Sequence, residues 1–155
     1  MGYVSLRTLI GDLTLFDEAR EIVSLEWGWV PARQPTPLLL DAVEVIREYF
    51  ASGRISKSVP LRPKGTEFQL RVWAAIEKVP SGRTVTYTDV ARDIHSGPRA
   101  VARACSRNPI PILIPCHRVV GIEDLGGYSG EGGCETKRTL LDLEGVYTGK
   151  NSKDS

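Results

Sequence analysis

Ile114-Pro115-Cys116-His117-Arg118 sets a thiol beside an imidazole in a stretch, Pro109 to Val120, that is otherwise largely apolar. That pairing offers nucleophilic chemistry, with Cys116 as the attacking atom and His117 as its base. Cysteine reacts as the thiolate, and a free thiol with pKa about 8.5 is only a few per cent ionised near neutrality, so something nearby must favour the anion. In an extended segment successive side chains point to opposite faces. Adjacency alone therefore does not bring imidazole to sulfur, and a bridging water or a local bend is required. Pro115 fixes its own φ and biases Ile114 toward extended geometry, which aims the sulfur.

The rest of the chain must supply the frame. At 155 residues it can bury one core with a small accessory subdomain. A net charge of +1 predicts no polybasic tail, so any nucleic-acid site must come from local clustering. Such clustering exists: no acid occurs between Asp93 and Glu123, while Arg99, Arg103, Arg107 and Arg118 do. Before residue 60, acids outnumber bases by eight to six. The odd cysteine count (Cys105, Cys116, Cys134) and a start without a signal-peptide pattern predict a reducing, cytoplasmic setting. No run approaches the roughly 20 apolar residues of a membrane span. Without a C-x-x-C, and with both histidines (His95, His117) in the second half, no structural metal is expected.

Alternation in Tyr3 to Leu6, Leu13 to Phe16 and Ile22 to Trp27, broken by polar turns, predicts a small antiparallel sheet. Trp27 and Trp29 share a face of the last strand and could stack on bases, although packing against a helix is favoured. Thr36-Pro37 caps a helix whose apolar positions Leu39, Val43, Ile46 and Phe50 run up to Gly53. A proline-broken link, 54 to 65, marks the subdomain boundary. Thr66-Glu67-Phe68-Gln69 is a capping box, and the stripe Phe68, Val72, Ile76, Val79 defines the next helix, with Trp73 beside it in the core.

Thr86 caps a short helix through Asp89 to Arg92, Ser96-Gly97 makes a turn, and Pro98 opens a second helix to about Arg107. Helix, glycine turn, helix is the helix-turn-helix pattern. Arg99, Arg103 and Arg107 recur every four residues there with no acid to pair them, which favours a phosphate-facing surface over a merely solvated one. Ala100 and Ala102 leave room for a groove to approach. The run Gly126 to Gly133 is too glycine-rich for regular structure, lacks the Gly-Lys-Ser/Thr ending of a phosphate loop, and fits a flexible pocket wall. A last helix spans about Glu135 to Leu143 and ends at Glu144-Gly145. Glu144 opposes the helix dipole there, which either solvation of its side chain or a partner such as a histidine would explain.

These residues, in order, resemble the O6-alkylguanine-DNA alkyltransferase family. The resemblance covers roughly Gly65 to Gly145, through Gly65-Thr66-Glu67-Phe68-Gln69, Val85-Thr86-Tyr87, Arg99-Ala100-Val101, Asn108-Pro109, Pro111 to Val120, Tyr128-Ser129-Gly130 and Leu143-Glu144-Gly145. The small N-terminal antiparallel sheet with a helix read from the residues (1–59), the mostly helical domain for DNA binding and alkyl transfer with a winged-helix-like helix-turn-helix that the resemblance implies (60–147), and a flexible tail (148–155) make an α+β fold.

The resemblance further implies that Cys116 accepts the alkyl group irreversibly, that His117 acts on it through a water, that Glu144 orients His117, and that Asn108 braces the segment. Arg99 would insert into the duplex in place of a flipped nucleotide, and Tyr87 would assist flipping and protonate the departing guanine. Ala100, Ala102 and Arg103 would face the DNA. Pro111, Val119, Tyr128, Ser129 and Gly130 would wall or hydrogen-bond the base. The implied partner is double-stranded DNA carrying O6-alkylguanine, with O4-alkylthymine also accepted. The protein would be a monomer, with no cofactor, no metal and no membrane. Arg103 and the acids of Gly121 to Leu125 depart from the family pattern. Cys105 and Cys134 are expected to be a buried small hydrophobe and a helix-start residue. Two further classes are a non-catalytic lesion-recognition module of the same fold, against which Cys116 itself argues, and a thiol hydrolase, which has no use for an arginine stripe.

Overall fold

The structure, a computed structural model, describes residues 1–31 and 33–146. The tail expected over 148–155 lies outside the described residues. Two compact units emerge: Met1–Lys64 with Pro109–Pro111, and Gly65–Asn108 with the chain from Ile112 onward.

In the first unit, strands β1 (Gly2–Thr8), β2 (Gly11–Glu18) and β3 (Glu21–Trp27) form an antiparallel meander. Its register pairs Val4 with Leu15, Leu6 with Leu13 and Leu15 with Leu25, so one face carries a continuous apolar layer. Helix α1 (Pro37–Ser52) packs on that layer. Thr36 caps it by accepting from the Leu39 amide, Pro37 starts it, and Gly53 at φ 78° ends it. The expected stripe is corrected at one position: Tyr49 is fully buried and Phe50 is half-buried, edge-on to Tyr49 with ring centroids 5.4 Å apart. Ala42, Val45 and Tyr49 complete the buried face. Trp29 is likewise not core: it is 44% exposed, with the Arg7 guanidinium 5.4 Å over its ring. Trp27 bonds back onto the β1–β2 hairpin, its indole donating to the Ile10 carbonyl at 3.1 Å. Pro109–Pro111 joins this unit through the Leu25 amide, which donates to the Pro109 carbonyl at 2.9 Å.

The second unit begins with α2 (Glu67–Glu77), opened by the expected capping box of Thr66 and Gln69. Trp73 is buried and its indole donates to the Ala104 carbonyl at 2.9 Å, satisfying an acceptor in the last turn of a neighbouring helix. That neighbour is α4 (Pro98–Ser106), which follows α3 (Tyr87–Asp93) in a helix-turn-helix. The residue that makes the turn is not the expected glycine. His95 takes the left-handed conformation (φ 57°), whereas Gly97 is extended and caps α4.

Strand β4 (Val85–Thr86) pairs in parallel with β5 (Val119–Val120), Val85 against Val119. This ladder fixes the start of α3 beside the chain that has just left Cys116. Helix α5 (Gly133–Leu143) starts two residues before the expected Glu135, because Gly132 and Gly133 at φ 88° and 55° turn the loop directly into it. It ends with Glu144 as cap and Gly145 at φ 81°, as expected.

Candidate active site

Cys116 is not on an extended segment. Cys116–Arg118 forms a single 3-10 turn, from which the His117 ring is directed to Glu144. Asn108, just past α4, donates its amide to the Ile114 carbonyl at 2.8 Å and also hydrogen-bonds the Cys116 sulfur. It therefore ties the end of the helix-turn-helix to the acceptor turn. Ile112, β-branched and at φ 75°, carries backbone strain just upstream.

Beneath the turn, His117 and Arg118 converge on Glu144. The imidazole Nε2 lies 2.6 Å from Glu144 Oε2, and the guanidinium donates through Nε to Oε1 at 2.9 Å and through Nη2 to Oε2 at 3.0 Å. The carboxylate is fully buried. Arg118 uses its remaining arm on the Val79 carbonyl at 2.7 Å. Burial lowers the His117 pKa and the Glu144 hydrogen bond opposes that without reversing it, so the ring is neutral. A neutral ring facing a carboxylate through Nε2 carries its proton there, which makes Nδ1 the basic atom.

Above the turn lies a cavity of about 240 Å³. Of the expected residues, Cys116, Tyr87, Ala102, Tyr128 and Ser129 line it. Pro111, Val119 and Gly130 are not in its wall: Pro111 belongs to the first unit, Val119 lies in β5, and the Gly130 carbonyl receives the Gly133 amide at 3.0 Å. Cys105, Ser106 and Gly127 complete the lining. Gly126 is required here, since at φ 73° an added Cβ would come within 2.7 Å of the Tyr87 ring and hydroxyl.

Lys137 is the charge that sequence reasoning missed. It is fully buried, and its ammonium donates to the Val119 carbonyl at 2.7 Å, the Gly127 carbonyl at 2.9 Å and the Tyr87 hydroxyl at 3.4 Å. Burial pushes the Cys116 thiol up, while the Asn108 hydrogen bond and the Lys137 charge pull it down. Burial also raises the Tyr87 phenol to about 12, so it stays protonated. In sequence Lys137 shares a helix face with Leu140 and Leu141, a signal outweighed by the surface default of a lysine.

On α4, Val101, Ala104 and Cys105 are buried and Ala100 and Ala102 half-buried, while Arg99 and Arg103 stand exposed, as does Arg107 at the cap. None of the three arginines makes an ion pair among the described residues. Arg118, grouped with them in the sequence, is instead an internal counter-ion at 6% exposure.

The family model for the DNA-binding domain of 6-O-methylguanine DNA methyltransferase matches residues 67–146. A methylated-DNA–protein-cysteine methyltransferase of Bacillus subtilis, the constitutive one, is 37% identical over 93% of this chain and 95% of its own length. The chain belongs to the methylated-DNA–protein-cysteine methyltransferase family. Another member, from Metallosphaera sedula, is 38% identical over 92% of each chain. The crystal structure of Mycobacterium tuberculosis OGT in complex with DNA superimposes with a TM-score of 0.81 at 39% identity, covering 92% of this chain and 91% of that one. Membership extends to both units, since these alignments cover over nine-tenths of the chain. Within this family member, the Glu144–Arg118 pair, with His117 against it, and Lys137 are buried charges beside the acceptor turn.

Proposed function

We propose that this protein repairs double-stranded DNA by removing the alkyl group from O6-alkylguanine, and from O4-alkylthymine, and fixing it on Cys116. One observation carries the reading. Helix α4 walls the thiol cavity with Ala102 and Cys105 while presenting unpaired Arg99 and Arg103 to solvent, so one helix serves a nucleophile and a phosphate-binding face.

The domain 60–147 carries both tasks. A stacked base cannot reach a thiol in a cavity, so the nucleotide is extruded and Arg99 fills its place, with Ala100 and Ala102 allowing close approach and Arg103 on phosphate. Tyr128 and Ser129, which line the cavity, receive the base. Cys116 gives its proton through a water to Nδ1 of His117, whose positive charge Glu144 balances. The sulfur then attacks the alkyl carbon, the carbon–oxygen bond breaks, and its electron pair goes to the guanine. Tyr87 hands the departing base a proton while Lys137, donating to the phenol oxygen, supports the resulting charge. Asn108 holds the turn throughout.

A thioether does not revert, so each monomer acts once and no cofactor enters. The presence of Cys116 disfavours a non-catalytic lesion binder. Among the described residues no helix is long and apolar enough to cross a membrane. Three free thiols suit a reducing cytoplasm. The function is tested by titrating O6-methylguanine duplex DNA against the protein. One guanine restored per protein molecule supports it, and continued turnover contradicts it.

A further inference from the structure

Transfer uses one thiol, yet the cavity has two. Cys105, from α4, and Cys116, from the acceptor turn, both line the same space of about 240 Å³. Lys137 lies within electrostatic reach of both sulfurs and favours the anion at each. Cys134 is exposed at the start of α5, its sulfur 3.2 Å from the Gly126 carbonyl, and is not in the cavity wall.

We propose that Cys105 is a resolving thiol that captures oxidised Cys116 as an internal disulfide, making the pocket a reversible peroxide-modification site. The oxidant is a hydroperoxide. The Cys116 thiolate attacks its outer oxygen, the O–O bond breaks, and the products are Cys116 sulfenic acid and, after protonation, an alcohol or water. The Cys105 sulfur then attacks the sulfenyl sulfur, the S–O bond breaks, and the hydroxyl leaves with the Cys105 proton as water. Two thiols are oxidised by two electrons and one hydroperoxide is reduced.

The electrostatics set the order of events. Cys105 is pushed up to about 12, first by burial and next by negative charge on Cys116. Burial and a neighbouring Cys116 thiolate together keep Cys105 protonated, which disfavours it as a competitor for the alkyl group. Conversion of Cys116 to a neutral sulfenic acid removes that repulsion while Lys137 remains, which favours attack by Cys105 after oxidation over attack before it. The consequence is protective: an acceptor that can be used once is diverted from irreversible sulfinic acid into a bond that a cellular thiol can reduce.

The test needs no alkylated DNA, so it stands or falls separately from the repair reading. The full-length protein is treated with a small excess of hydrogen peroxide, alkylated with iodoacetamide, and mapped by non-reducing peptide mass spectrometry. Cys105 linked to Cys116, released by dithiothreitol, is expected in the wild type and in Cys134→Ser. In Cys105→Ser, Cys116 should advance to sulfinic acid that dithiothreitol does not recover. Cys116 linked to Cys134, unmodified after treatment, or reaching sulfinic acid as fast in the wild type as in Cys105→Ser, would overturn the proposal.

Discussion

Arg118 holds Glu144 through two guanidinium nitrogens, at 2.9 and 3.0 Å, with the carboxylate fully buried. This pair lets His117 stay neutral next to a carboxylate, because the negative charge already has a counter-ion. Removing one member strands the other in a medium of low polarity. Arg118→Met is expected to cost about 3–5 kcal/mol of stability, and adding Glu144→Gln should restore part of it. Urea denaturation of the two single variants and the double variant measures this. Strictly additive losses would contradict the coupling.

Lys137 and Asn108 oppose the burial that raises Cys116. Lys137→Met should therefore slow carboxymethylation of Cys116 by iodoacetamide at neutral pH, because the thiol loses a charge that favours its anion. In the wild type the same reaction should keep accelerating as pH rises past the ordinary thiol range, since burial holds the folded value higher. Mass spectrometric rates at Cys116, resolved from exposed Cys134, decide both points.

His117 gives a pH signature in stability. Its folded pKa is lowered below 6.5, chiefly by burial, so the unfolded chain binds its proton first as pH falls. Its contribution is complete above 6.5 and is lost as pH drops through the folded value. The wild type should lose stability across that acid window more steeply than His117→Gln, as followed by denaturant midpoints. Parallel curves would count against a buried neutral imidazole.

Arg99 and Arg103 should separate by experiment. Arg99→Ala should impair transfer from duplex DNA far more than from free O6-methylguanine, which needs no extrusion. Arg103→Ala should mainly flatten the salt dependence of DNA affinity, by roughly one unit of slope per lost phosphate contact. Equal loss on both substrates, or an unchanged slope, would remove the respective role.

The elements were legible because each carries a local signal. Thr36-Pro37, the Thr66/Gln69 box and Thr86 each cap a helix through bonds within three residues, and alternation fixes the meander. Tyr49 was misjudged for Phe50 because both are aromatic and adjacent, and only the packing of α1 on the sheet separates them. In the site, Glu144 announced a missing partner by opposing its helix dipole, and His117 fills that place. Arg118 and Lys137 hid because a charged side chain in sequence defaults to the surface. Their burial depends on Glu144, Val79, Val119 and Gly127, partners brought near only by the fold. The second thiol of the cavity was equally silent, since Cys105 alone is indistinguishable from an ordinary small core residue.

The central claim is that Cys116 is where the alkyl group comes to rest. The protein should be incubated with duplex DNA containing O6-methylguanine, digested, and mapped by peptide mass spectrometry. One methyl group on Cys116, none on Cys105 or Cys134, and no transfer in Cys116→Ala are the predicted results. A repaired guanine with Cys116 unmodified, or a methyl group on another residue, would contradict the account.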